Sequence, residues 1–142
     1  MPDDTLPERW GYFPDTPKLD HVDDENATLL APFVYVDPLG VSWKAPRGML
    51  FDGTSVPAPL WSLFRESPFT GRAAWAAIIH DAGCKGLVLV DGERLTPAGM
   101  RDGRVHATFY RGIRARGGDP LKAWAFYRAV WTVGMIRGGY TR

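Results

Sequence analysis

Strand-type patterning gathers between residues 30 and 51, and helix-type patterning dominates from residue 71 onward; this segregation constrains the fold more than any other feature. Leu30 to Val36 is rich in β-formers, Asp37-Pro38-Leu39-Gly40 has turn chemistry, and Val41-Ser42-Trp43-Lys44 alternates apolar with polar. Such runs pair as an antiparallel hairpin, here with Phe33, Tyr35, Val41 and Trp43 facing a core. Pro46 stops the second run, Gly48 permits a turn, and Met49-Leu50-Phe51 reads as another short strand. Strands followed by helices, rather than strands alternating with them, point to an α+β domain.

The helical signals come in sequence. Pro59 suits the first turn of a short helix over Leu60 to Phe64, burying Leu60, Trp61 and Phe64. Thr70 is placed to cap a helix from Gly71 to about Ala82, with Trp75, Ile78, Ile79 and Ala82 as its buried stripe and Gly83 as its end. Leu87 to Val90, Asp91-Gly92 and Arg94-Leu95 read as a small hairpin or an interhelical loop. Thr96-Pro97 opens a helix to about Ala115 with Val105, Phe109 and Ile113 on one face, ended by Gly117-Gly118. Asp119-Pro120 repeats the opening signal for Leu121 to Ile136. There Leu121, Trp124, Tyr127, Val130, Trp131 and Met135 form a broad apolar face, which predicts a central position. The expected architecture is short antiparallel strands followed by a cluster of three to four helices.

A chain of 142 residues with 45% apolar content fills one core, so a single globular domain over 30–142 is expected, preceded by an extended Pro- and acid-rich arm over 1–29. Trp10, Tyr12 and Phe13 in that arm want a surface to bury against. Cys84 is the single cysteine, which excludes an internal disulfide and a Cys-based zinc motif. The acidic start lacks the basic, apolar pattern of a signal peptide, and no stretch approaches a membrane span. Synthesis in the cytoplasm is the expectation, with later incorporation into a particle left open. The net charge of +1 makes no general electrostatic case for nucleic acid or membrane. Arg101, Arg104, Arg111, Arg114 and Arg116 nevertheless cluster in a basic stretch. It reads either as a solvated face pairing with the acidic arm or as a phosphate-contacting face.

Chemistry is carried by few residues. Of the three histidines, His80 precedes Asp81 near the end of one helix and His106 lies in the next, while Asp52 heads the loop Asp52-Gly53-Thr54-Ser55-Val56-Pro57. Imidazole and carboxylate donors from two helices and a loop are the set that zinc or manganese takes. Asp52, His80, Asp81 and His106 are therefore the candidate ligands, with Asp52, His80 and Asp81 as candidate catalytic groups. Bland readings stand beside these: His80 as a hydrogen-bonded histidine near a helix C-terminus, and Asp52 as the acceptor that shapes its own loop with Gly53, Ser55 and Pro57. A thiol–imidazole pair of Cys84 with His80 is disfavoured because Gly83 intervenes. A Ser55–His80–Asp triad lacks its nucleophile-elbow signature.

Three segments, Phe51-Asp52-Gly53-Thr54-Ser55-Val56-Pro57, Ala77-Ile78-Ile79-His80-Asp81 and His106-Ala107-Thr108-Phe109 followed by Gly117, resemble a family known as domain of unknown function 1353. The family occurs in tailed phages, prophages and bacterial genomes. Its usual Asp in the third motif falls on His106 here, and both residue types are metal donors. The resemblance implies an α+β fold and a phage context but no activity. The chemical expectation is a metal-dependent hydrolase of a cell-wall peptide or a phosphoester. Its alternative is a non-catalytic virion, tail or neck component, partnered by phage structural proteins or by copies of itself.

Overall fold

The computed structural model describes residues 7–22, 26–51, 72–95 and 103–138. Two antiparallel sheets lie within them. Strands β1 (Leu19–His21), β2 (Ala27–Leu29) and β5 (Leu50–Phe51) form one sheet, ordered β1-β2-β5. Strands β3 (Phe33–Val36), β4 (Ser42–Ala45), β6 (Leu89–Val90) and β7 (Glu93–Arg94) form the other, ordered β3-β4-β6-β7. Helices α1 (Ala74–Cys84), α2 (Arg104–Ala115) and α3 (Pro120–Gly138) follow, so the fold is α+β.

The β3–β4 hairpin pairs Phe33 with Ala45 and Tyr35 with Trp43, and these four side chains are buried while Val34 and Lys44 are less so. Alternation of this kind fixes the register, since a one-residue slip would turn the apolar set outward. Asp37 holds the turn. Its Oδ1 accepts the backbone N–H of Leu39 (2.9 Å) and Val41 (3.0 Å), and its Oδ2 accepts Trp43 Nε1–H at 3.1 Å. The strand begins at Phe33 rather than Leu30, because Leu30 is exposed and its neighbours Ala31 and Pro32 bend the chain. The expected small hairpin is β6–β7, with Asp91 and Gly92 both at positive φ in its turn.

The segment expected as an extended arm contains paired structure. A 3-10 turn spans Pro7–Trp10, Tyr12 exchanges backbone hydrogen bonds with Val36 (2.9 and 2.8 Å), and β1 and β2 pair over three residues. Phe13 stacks on Phe33 with centroids 5.5 Å apart and meets Trp75 edge-on at 5.5 Å. Phe13 thus finds its surface on the hairpin and α1, and Trp10 meets Tyr110 of α2 edge-on at 5.7 Å, whereas Tyr12 stays 51% exposed. Strands of three residues with one or two polar members leave no readable period, which is why this pairing was hidden.

Helix α1 is the centre. Of Ala74 to Gly83 only Trp75 is not fully buried, because the helix is enclosed by β3, β4 and α2. Two helical expectations are corrected here. The helix starts at Ala74 on Ala73 with no side-chain cap, so Thr70 is not its N-cap. Gly83 does not end it; the helix runs on to Cys84 with Lys85 as C-cap. Gly83 is needed for closeness instead, since a Cβ there would sit 2.6 Å from Val105 Cγ1 on α2. At the other end of the same contact, a Cβ on Gly112 would sit 2.8 Å from Ala76 Cβ. Small residues at both ends let α1 and α2 lie close along their length.

Helix α2, capped by Gly103, runs from Arg104 and buries Val105, Phe109 and Ile113 as expected, while Thr96 and Pro97 lie outside the described residues. Helix α3 differs from expectation. Ala123, Phe126 and Val130 are its buried stripe, Phe126 meeting Phe109 edge-on at 5.9 Å, while Leu121 (71% exposed) and Trp124 (54%) face outward. The helix packs on α2 rather than taking the middle. It carries apolar residues on more than one face, so the partner rather than the pattern selects which stripe is inside. The proposed helix over Leu60 to Phe64 lies outside the described residues. No helix among the described residues is long and apolar enough to cross a membrane.

Candidate functional site

Two of the four candidate ligands come together at the α1–α2 contact. His80 sits in the second half of α1 and His106 in the first turn of α2, 1% and 2% exposed, with His80 Nε2 2.8 Å from His106 Nδ1. Such a distance is a full hydrogen bond between an N–H on one ring and a lone pair on the other. Phe109 packs on His80 (centroids 4.8 Å apart) and Trp131 on His106 (5.0 Å), so both rings sit among aromatic walls. Burial, and for His80 also the neighbouring imidazole, depresses both pKa values: His80 falls well below the ordinary histidine range and His106 to about 4. Both rings are neutral at physiological pH.

Asp81 points elsewhere on the helix. It is 2% exposed, and its Oδ2 lies 2.9 Å from the Lys85 ammonium one turn on, an ion pair whose approach falls outside hydrogen-bond geometry. The same ammonium donates to the Leu50 carbonyl of β5 at 2.6 Å. Lys85 therefore ties the end of α1 to the strand from which the Asp52 loop departs. This lysine carried no signal in the sequence beyond its i+4 spacing from Asp81.

Because α1 continues through Gly83, Cys84 stands one turn beyond His80. Its Sγ lies 3.6 Å from His80 Nε2 and 3.8 Å from Nδ1, correcting the expectation that Gly83 separates them. Cys84 as a whole residue is exposed, but its sulfur faces this interior cluster. Burial first, then the Asp81 charge, pushes the thiol up to about 12. It is a protonated thiol beside a neutral imidazole, not an activated thiolate.

Asp52, Gly53, Ser55 and Pro57 lie outside the described residues, as does Asp102. Among the described residues no group of three or more His, Cys, Asp or Glu side chains is arranged to hold a metal ion. The described part of the site is thus a neutral His80–His106 pair, a thiol against it, and an Asp81–Lys85 ion pair at the end of the same helix, its carboxylate buried and its lysine reaching the surface.

Residues 27–130 match the family described as "Protein of unknown function (DUF1353)". The chain is 32% identical over 130 residues to "Uncharacterized protein y4jT" of Sinorhizobium fredii (strain NBRC 101917 / NGR234), an alignment covering 89% of this chain and 35% of that protein. The chain therefore spans about a third of that relative's length. No solved structure matches. With the match running from β2 into α3 and enclosing both histidines, the chain belongs to the DUF1353 family.

Proposed function

We propose that this domain is a metal-dependent hydrolase whose divalent ion, zinc or manganese, is held by His80 and His106 with Asp52 as the expected carboxylate. The observation that carries the reading is the 2.8 Å approach of His80 Nε2 to His106 Nδ1 from two different helices. The pair fits an ion. Metal-bound imidazoles must be neutral, and both rings are held so by burial. Nitrogens bound at 2.0–2.1 Å in a tetrahedral site stand roughly 3.3 Å apart, so a shift of about half an ångström turns the hydrogen-bonded pair into a ligand pair. When bound, the ion would acidify a water as the nucleophile for a cell-wall peptide or a phosphoester. Phe109 and Trp131 hold the rings in position and keep bulk water from them.

A non-catalytic virion or assembly component is the second reading. It is favoured by the near-complete burial of both rings, since an imidazole pair sealed between two helices can serve as a brace alone. Metal analysis of protein purified without chelator separates the two. About one zinc or manganese per chain, lost in a folded His106→Gln variant, is the expected result. Metal-free protein that takes up neither ion on titration and folds normally overturns the hydrolase.

A further inference from the structure

The two C-terminal helices are electrically unlike the rest of the chain. From Arg104 to Gly138 they carry seven basic residues and a single acid, Asp119, whereas the whole chain is only +1. Where α2 and α3 meet the 3-10 turn, a groove of about 340 Å³ opens, lined by Trp10, Ala107, Tyr110, Arg111, Trp124 and Tyr127. Its rings are not all spent on the core: Trp124 is 54% exposed, and Tyr127, Trp10 and Tyr110 are partly buried, the last two packing against the core. Guanidinium groups stack on them, Arg114 over Trp10 at 4.8 Å, Arg9 over Trp10 at 5.1 Å and Arg128 over Trp124 at 5.8 Å. A guanidinium lying over a ring retains further N–H donors for an anion, although one from Arg114 Nη1 is given to Tyr110 Oη at 3.4 Å.

We infer that this groove binds single-stranded nucleic acid, its bases stacking on the exposed Trp124 and the two tyrosines and its phosphates meeting Arg111, Arg114 and Arg128. The chemistry of the lining selects this class. A cationic ligand is repelled by Arg111. A carbohydrate site wants carboxylates or amides for the hydroxyl groups, and the lining has neither among the described residues. A Pro-rich peptide would use the rings but has no need of the guanidinium groups. Aromatic faces interleaved with arginines satisfy an anion that also has flat faces, and the volume suits one base at a time. Duplex DNA keeps its bases stacked inside and offers the rings nothing. The lining includes neither His80 nor His106, so the site does not depend on a metal there.

Fluorescence anisotropy with labelled ten-nucleotide oligo(dT), a duplex of equal length and a ten-residue polyglutamate peptide tests the inference on the full chain. Oligo(dT) is expected to bind with quenching of tryptophan emission and to outcompete both other probes. Trp124→Ala should weaken it about 5-fold to 100-fold while Trp124→Phe restores most of the affinity, the side chain being exposed enough for both variants to fold. Arg111→Gln should lower the slope of log affinity against log salt by about 0.7. Absence of oligo(dT) binding, equal binding of polyglutamate, or indifference to Trp124→Ala would each overturn the proposal, the second leaving a face for acidic proteins instead.

Discussion

Gly83 on α1 meets Val105 on α2 so closely that a single added methyl would sit 2.6 Å from Val105 Cγ1. The contact lies one turn from the His80–His106 hydrogen bond, so the distance between the two helices there also sets the distance between the rings. Gly83→Ala removes the helix-propensity penalty of glycine, about 1 kcal/mol, but overfills a buried contact. Net destabilisation of about 1–3 kcal/mol is expected by urea unfolding. Combining it with Val105→Ala should give a variant more stable than the two single losses added together. Simple additivity would show that the helices are not in contact at this point.

The histidine pair makes stability depend on acid. Each ring has a folded pKa below its unfolded value near 6.5, so the unfolded chain binds the extra protons. The contribution of the pair is therefore constant above pH 7 and falls as pH drops from about 6.5 towards 4, the value His106 is brought down to. Each imidazole contributes a slope of at most about 1.4 kcal/mol per pH unit in that window. Urea midpoints at pH 7.5, 6 and 5 measure it, and His106→Gln should make the fall shallower. Equal stability at pH 7.5 and 5 would mean that the rings are open to water.

Asp37 is expected to be the residue on which the hairpin depends most. Its carboxylate receives two backbone N–H groups and the Trp43 indole while only 8% exposed. Asp37→Ala should cost about 2–4 kcal/mol, since charged acceptors give the stronger bonds and three donors lose their partner. Asp37→Asn, which can satisfy the turn but presents an amide to the indole in one orientation, should cost less. Thermal unfolding of the two variants ranks them, and reversal of that order would place the stabilisation outside the carboxylate.

The hairpin was legible because its two signals agree: alternation in Phe33 to Val36 and Ser42 to Ala45, and an Asp-Pro-Leu-Gly turn between them. The buried face of α2 was legible for the same reason, with Val105, Phe109 and Ile113 repeating every four residues. Gly83 misled because glycine has two uses in a helix, as a stop and as a place for another helix to approach. Only knowledge of Val105 opposite distinguishes them. The same ambiguity concealed the neighbourhood of Cys84 and His80. In α3 the residues exposed at Leu121 and Trp124 are as apolar as those buried at Phe126 and Val130, so pattern alone could not orient the helix. Of the candidate site, the meeting of His80 with His106 was anticipated from donor chemistry. The Asp81–Lys85 ion pair was not, because an i, i+4 charge pair on a helix ordinarily lies in solvent.

The family match begins at residue 27, yet Arg9 and Arg114 both lie against the Trp10 ring, and Phe13 packs on Phe33 and Trp75. A polypeptide trimmed to the matched block would bare those rings and leave Val36 without its backbone partner Tyr12. The packed unit is longer than the block that the family model matches. Proteolysis near the amino end should accordingly weaken the whole body rather than shed a dispensable tail.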